Sequence, residues 1–300
     1  MSPLKSSVVL CTRNRLQDVL KCLPSIAAQT SVADELIVVD SSDVPLQDNT
    51  DFLALFNERL FPYTKLVYQH TSPGLTYQRN VGISLATGDV LYFFDDDTEL
   101  MPDYLQKMQI VFALHPEYAG GMGSVRDVSP KQNNVDRGLR TVFLLQRDHA
   151  SGNFTASGMP THAYGLTDFK QVQVLGGCNM AFRASVLTKH TFDENLRRYA
   201  YMEDCDISRR VSYDAPLFYN PSAQLYHYAS PLARDRVLDN RAMYIKNYSY
   251  LFFKNFYPRN RLKVIAYAWS VVGLFVQAVA MRNADYLKGY CKGLREFYKK

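Results

Sequence analysis

The 300-residue chain is 47% hydrophobic and 21% charged, which excludes a disordered polypeptide and suits one large α/β domain or two small ones. Its five cysteines (Cys11, Cys22, Cys178, Cys205, Cys291) are widely spaced with no CxxC pair, which argues against a zinc knuckle and for reduced thiols in the cytoplasm. The net charge of +5 is uneven: residues 254–300 carry ten Lys/Arg against two Asp/Glu, while the body is slightly acidic. Such a tail suits an anionic surface, and its long apolar run favours lipid over nucleic acid.

Residues 7–11 form a β-branched apolar run that ends in polar Thr12, Arg13, Asn14 and Arg15. That run is too short for the core of a signal peptide, and none is expected. Leu16, Val19, Leu20, Leu23, Ile26 and Ala27 follow at helical spacing. A second strand is expected at 35–40 (ELIVVD), a helix at 52–60, a third strand at 65–70 and a helix at 75–86. A fourth strand at 90–94 (VLYFF) runs into Asp95, Asp96 and Asp97. Three rounds of strand–helix alternation, with strands apolar throughout, predict a doubly wound, mostly parallel sheet covered on both faces. Ligands of such sheets bind beyond the carboxyl ends of the strands. In this chain those ends hold Thr12 to Arg15, Asp40, and Asp95 to Asp97.

From about 120 to 177 the periodicity fades and Gly, Ser, Asn and Pro cluster at 123–138 and 151–167. Long functional loops or a small extra sheet over the site are expected there. A helix is expected at 202–211, a short strand at 224–228 and an aromatic-rich helix at 232–256. Residues 264–281 hold no charge and lie between Lys263 and Arg282.

Three adjacent carboxylates repel one another unless a cation or donors offset them. Mg²⁺ and Mn²⁺ take oxygen ligands and share them with substrate phosphates. In an extended segment Asp95 and Asp97 face one way and Asp96 the other. The alternative is a solvated acidic loop or a helix N-terminus, since Thr98 and Glu99 follow. The second acidic cluster is Glu203-Asp204 with Asp206 nearby; it holds either a general base or acids that favour a helix dipole. His227, between two tyrosines, is either a metal ligand or a core histidine. Arg79, Arg13 and Arg15 suit phosphate or surface ion pairs. No P-loop, Rossmann glycine fingerprint or nucleophile elbow occurs, which argues against the enzymes built on them.

Taken in order, VVLCTRNR (8–15), ELIVVDSS (35–42), GLTYQRNVG (74–82), FFDDD (93–97), GGCNMAFR (176–183), MEDCDISRR (202–210) and HYASP (227–231) resemble family 2 glycosyltransferases. The resemblance covers about residues 6 to 231 and implies a GT-A fold with a C-terminal helical extension. It implies a glycosyltransferase domain at 1–231, with a nucleotide-binding half to about 120 and an acceptor half from 121, followed by a helical, basic region at 232–300. It also implies that Thr12, Arg13, Asn14, Asp40 and Arg79 hold the nucleotide-sugar donor, with Asp40 accepting from the base and Arg79 near the base or pyrophosphate. Asp95 and Asp97 would bind Mn²⁺ or Mg²⁺ with His227 as third ligand, and Asp96 would sit near the ribose or donor sugar. Gly177, Cys178 and Asn179 would line the sugar and acceptor region. Asp204 would be the base, with Glu203 beside it, in a single displacement that inverts the anomeric carbon.

The QxxRW motif of processive members is absent, since Ala268 precedes the one tryptophan, Trp269. One or a few sugar additions are therefore expected, onto a saccharide or lipid-linked saccharide in surface polysaccharide assembly. Two other readings are a sugar-nucleotide nucleotidyltransferase, opposed by the lack of a Gly-rich loop after the first strand, and an inactive nucleotide-sugar-binding scaffold. Residues 264–281 are long enough to cross a bilayer, to lie in its interface or to dock on the protein. A protein peripheral at the cytoplasmic face of a membrane is expected.

Overall fold

The computed structural model describes residues 4–126, 134–146, 151–228 and 237–299. Strand β1 (Ser6–Thr12) leads through helix α1 (Leu16–Ala27) to β2 (Glu35–Asp40). Helix α2 (Thr50–Leu55) precedes β3 (Lys65–His70), and α3 (Leu75–Leu85) precedes β4 (Val90–Asp95). Next come β5 (Thr98–Leu100), α4 (Tyr104–Leu114), β6 (Gly120–Val125) and α5 (Asn134–Val142). Short strands β7 (Asn153–Phe154), β8 (Pro160–Thr161) and β9 (Lys170–Val172) precede β10 (Asn179–Arg183). Helices α6 (Ala184–Leu187) and α7 (Glu203–Val211) and strand β11 (Leu217–His227) complete the sheet region. Helix α8 (Val237–Leu251) continues into a π-helical turn, Phe252–Phe256, and α9 (Lys263–Ala280) and α10 (Ala284–Tyr298) follow.

Among the described residues nine strands form one sheet in the order β3-β2-β1-β4-β10-β6-β11-β5, with β9 also on β11. The first four are parallel, as the apolar runs of β1, β2 and β4 predicted. Strand β10 then enters antiparallel between β4 and β6, so the far half of the sheet is mixed. The chain winds from β1 to β2 on one side and reaches β4 on the other. That reversal opens a crevice at the carboxyl ends of β1 and β4, where Cys11 is in register with Asp95.

Sequence and structure differ at three instructive places. Helix α2 stops at Leu55, short of the expected residue 60, because the Asn57 side-chain amide donates to the carbonyls of Leu53 and Ala54. Strand β6, GGMGSV, lacks the residues that mark strands. Its glycines admit large neighbours instead: a Cβ on Gly121 would lie 2.4 Å from the Phe218 ring. Strand β11 begins at Leu217, seven residues before the expected strand. Asn220, Pro221 and Ser222 lie at a register shift between Asn220 and Gln224. Ala229, Ser230 and Pro231 of the HYASP match, part of the 123–138 cluster and the first residues of the helix expected from 232 lie outside the described residues.

The C-terminal helices share a core with residues between 145 and 205. One cluster joins Leu145, Met159, Leu196, Ala200 and Met202 to Tyr248, Phe252, Tyr267, Leu274 and Tyr290. A polar knot reinforces it. Lys254 Nζ donates to Asp193 Oδ2 (2.6 Å) and Asp206 Oδ1 (2.9 Å), Tyr250 Oη donates to Asp193 Oδ2 (2.7 Å), and Arg210 Nε donates to Asp206 Oδ2 (2.9 Å). Asp206, one of the acids weighed as a base, is therefore a structural anchor.

Burial alone would raise the Asp193 carboxyl, but Lys254, Tyr250 and the Asn195 N–H outweigh it and hold it well below the ordinary range. The stability it contributes is thus present above that range and lost as pH falls below it. Asp193→Asn is expected to cost about 1–3 kcal/mol at neutral pH. The gap to the parent should close below about pH 4 in urea midpoints taken across pH. A gap independent of pH would contradict this account of the knot.

Candidate active site

A cleft of about 1160 Å³ lies at the reversal of the sheet, open between the ends of β1 and β4, the start of α3, the 197–205 segment and His162. Thr12, Arg13, Asn14, Arg79, Asp95, Asp96, Asp97, Gly177, Cys178, Glu203, Asp204 and His227 all line it. Most of the residues expected to work together, spread over two hundred positions, thus line one cleft.

The acid triplet divides at a turn, since β4 ends at Asp95 and Asp96 and Asp97 lead into β5. Asp95 and Asp97 turn toward His227, and one ligand atom of each of the three lies within 4.8 Å of the others. His227 Nε2 is 3.1 Å from Asp97 Oδ1 and 3.9 Å from Asp95 Oδ2. Asp96 turns away, accepting from Thr12 Oγ1 (2.7 Å) and Arg15 Nη1 (2.9 Å). Burial pushes the Asp96 carboxyl up to about 7 against the opposing pull of Arg15. Burial alone would lower His227, but Asp97, Cys178 and Asp95 outweigh it and push the imidazole up to about 11. Two carboxylates and an imidazole form a donor set suited to Mn²⁺, whose binding would compete with the imidazole proton.

Arg79 is buried beneath this wall. Its Nη2 donates to Asp95 Oδ1 (3.2 Å) and to the carbonyl of Gly177 (2.8 Å), and its Nη1 pairs with Glu203 Oε1. The expectation of a phosphate or base contact therefore meets a guanidinium already committed to two carboxylates. The Gly177 N–H donates to Asp204 Oδ2 (2.9 Å), so Arg79 and Gly177 connect the triplet to the second acid pair. A Cβ at Gly177 would lie 3.0 Å from Glu203 Oε1, which explains why glycine suits this crossing.

The pair Glu203-Asp204 is split by its surroundings. Burial pushes Glu203 up to about 8 despite Arg79. Burial also opposes ionisation of Asp204, yet His162 and the Cys205 N–H hold its carboxyl below the ordinary value. One acid is thus poised to keep a proton, and the other stays ionised and faces the cleft.

Two expectations require correction. Asp40 does not line the cleft. It is fully buried, its Oδ1 accepting from the Ser42 N–H (2.7 Å) and its Oδ2 from the Leu46 N–H (2.8 Å) and Tyr68 Oη (2.7 Å). Both oxygens are occupied in closing the loop after β2, so Asp40 is not placed to accept from a base. Asn179 is also buried away from the cleft, its Nδ2 donating to the Gly123 carbonyl (3.0 Å) across the sheet.

His162 is a cleft residue that the sequence did not reveal. Its Nε2 lies 3.4 Å from Asp204 Oδ2, and its ring stacks on Tyr164 at 5.3 Å and 8°. It stands in the loop-rich 151–167 stretch, where no periodicity marks a facing direction. His162, Asp204 and Cys205 form a second close group. Burial holds the Cys205 thiol well above its ordinary value, and a thiol that keeps its proton is a poor ligand. A carboxylate paired with a histidine is the better description of that group.

A sheet that reverses beside an acidic cleft, with the chain returning antiparallel through its centre, is the architecture of the GT-A glycosyltransferases. The fold matches a crystal structure of S. aureus TarS 1–349 with TM-score 0.60 at 15% identity, over 98% of this chain and 80% of that one. It matches GalNAc-T7, solved with UDP, GalNAc and Mn²⁺, with TM-score 0.61 at 14% identity, over 84% of this chain and 48% of that one. The family model described as glycosyl transferase family 2 matches residues 7–191, more than half of the chain, and the chain belongs to that family. The uncharacterized glycosyltransferase YibD of Escherichia coli K12 is 32% identical over 98 residues, 33% of this chain and 27% of YibD. The glucosyl-dolichyl phosphate glucuronosyltransferase of Haloferax volcanii is 29% identical over 125 residues, 41% of this chain and 38% of that protein. The chain thus matches roughly a third of the length of these relatives.

Proposed function

We propose that this chain is an inverting glycosyltransferase that moves one sugar from a nucleoside-diphosphate sugar to a hydroxyl of a saccharide or lipid-linked saccharide. The observation that carries the reading is the convergence of Asp95, Asp97 and His227 with Asp204 on one cleft, joined through Arg79 and Gly177. In this reading Asp95, Asp97 and His227 hold Mn²⁺ or Mg²⁺, which supplies charge neutralisation for the departing diphosphate. Thr12, Arg13, Asn14 and Asp96 bound the donor side, and residues to about 120 carry it. Gly177, Cys178 and the 197–202 segment bound the acceptor side, carried by residues 121–231. Asp204, ionised and oriented by His162 and the Gly177 N–H, takes the acceptor proton as the hydroxyl attacks. A cleft that aligns both substrates lowers the entropic barrier to that attack.

The Mn²⁺ of the GalNAc-T7 structure supports the choice of metal. The lipid phosphate in the name of the Haloferax relative supports a lipid-linked acceptor. A role in surface polysaccharide assembly at the cytoplasmic face of a membrane follows from that acceptor class. Calorimetry with nucleoside diphosphates, with and without Mn²⁺, tests the donor side. Asp97→Ala is expected to lower Mn²⁺-dependent nucleotide affinity by about a hundredfold or more, since even partners one shell out from a metal are worth 10–100-fold. Unchanged Mn²⁺-dependent binding would remove Asp97 from the metal site. Nucleotide binding without donor hydrolysis or transfer would make the chain a scaffold.

A further inference from the structure

Helix α9 has two faces of different kinds. Tyr267, Ser270, Gly273, Leu274 and Ala278 are buried against the body of the protein. Ser270 Oγ lies 2.6 Å from Tyr248 Oη, and Gln277 Nε2 donates to Asp136 Oδ1 (2.7 Å). At Gly273 a Cβ would lie 2.2 Å from that of Phe143, so the helix is seated closely. The opposite face presents Ile265, Trp269, Val272, Val276 and Val279, at successive spacings of four and three, each 37–70% exposed. Val142 of α5, whose carbonyl accepts from Trp269 Nε1, widens this patch. Soluble monomers rarely expose a contiguous apolar stripe of this length.

The surrounding charge selects what covers the stripe. Arg261, four residues before Ile265, and Arg282, three residues after Val279, stand at its two ends, both exposed. From residue 240 to 284 the chain has no Asp or Glu. A second copy packed on this face would set arginine against arginine in either the parallel or the antiparallel arrangement. An anionic bilayer meets both features at once, apolar chains under the stripe and lipid headgroups at the arginines.

We propose that α9 lies in the plane of an anionic membrane, its bare face in the interface and its other face docked on the enzyme, without crossing the bilayer. A crossing would carry the charged helices α8 and α10, packed on the same body, into hydrocarbon. Helix α5 joins this face to the cleft, since it borders Trp269 through Val142 and lines the cleft through Arg140. A lipid-linked acceptor, which rests on the glycosyltransferase reading, would enter from that side.

The test is sedimentation of the full chain, without donor, with vesicles of phosphatidylcholine alone or with phosphatidylglycerol, so its outcome is independent of catalysis. Binding is expected to require phosphatidylglycerol. Val272→Glu/Val276→Glu should weaken it by about tenfold or more. Arg261→Glu/Arg282→Glu should lower it by at least about fivefold per arginine. All four positions are exposed, and unchanged thermal melting would show the variants folded. Alkaline carbonate should release the protein from native membranes. Three results would overturn the proposal: no vesicle binding, retention after carbonate, or a solution dimer that the valine substitutions dissociate.

Discussion

Asp204→Asn is expected to lower the turnover of glycosyl transfer by about 10²–10⁴, the usual contribution of a positioned general base. Metal-dependent nucleotide binding should be close to that of the parent. The substitution keeps an oxygen for the Gly177 N–H, at the loss of the charge, of the second acceptor oxygen and of the capacity to take a proton. The carboxyl of Asp204 lies below its ordinary value, so it is ionised across the neutral range. The loss of rate that belongs to this group should therefore appear only as pH falls into the carboxylate range, and a Asp204→Asn variant should lack that acid limb. Initial rates with a radiolabelled donor across pH measure both effects. Turnover within a few-fold of the parent would remove Asp204 from the role of base.

Arg79→Ala is expected to be the most damaging substitution for stability. It strands Glu203 and Asp95 without their shared cation, and it takes away the donor to the Gly177 carbonyl. Removing one partner of a buried ion pair costs about 3–5 kcal/mol. That is a large part of the 5–15 kcal/mol, roughly, by which a domain is stable. Because Glu203 is already pushed toward its protonated form, Arg79→Met with Glu203→Gln should recover part of the loss. Urea midpoints of the two single variants and the double variant give the coupling. An Arg79→Ala cost below about 1 kcal/mol would mean that the carboxylates find other donors.

The first half of the fold was legible because its inner strands β1, β2 and β4 are buried on both faces. Runs such as VVL and LIVV have no other use for that many branched side chains, and the polar residues after them mark the strand ends. The division of the acid triplet was expected from alternation along an extended backbone, but the backbone turns at Asp96 and Asp97, and Thr12 and Arg15 hold Asp96 apart from its neighbours. Of the far half only helix α7 and the end of β11 were legible. Strand β6 is written in glycines because Phe218 and Phe182 fill the space above it, a property of its neighbours and not of its own sequence. Asp40 misled for the opposite reason. A carboxylate at a strand end points to ligands, but the three donors that occupy it come from residues 42, 46 and 68, whose approach depends on how the loop closes.

By itself the sequence determined the order of strands and helices around the sheet reversal, the position of the acids at the strand ends and the basic, apolar character of the tail. Each of these depends on local spacing and on which side chains water rejects. Tertiary structure alone decided that His162 meets Asp204, that Arg79 serves carboxylates and that α9 hides one apolar face while leaving the other bare. Those outcomes come from contacts between segments far apart in the chain, and such contacts leave no period in the sequence to read.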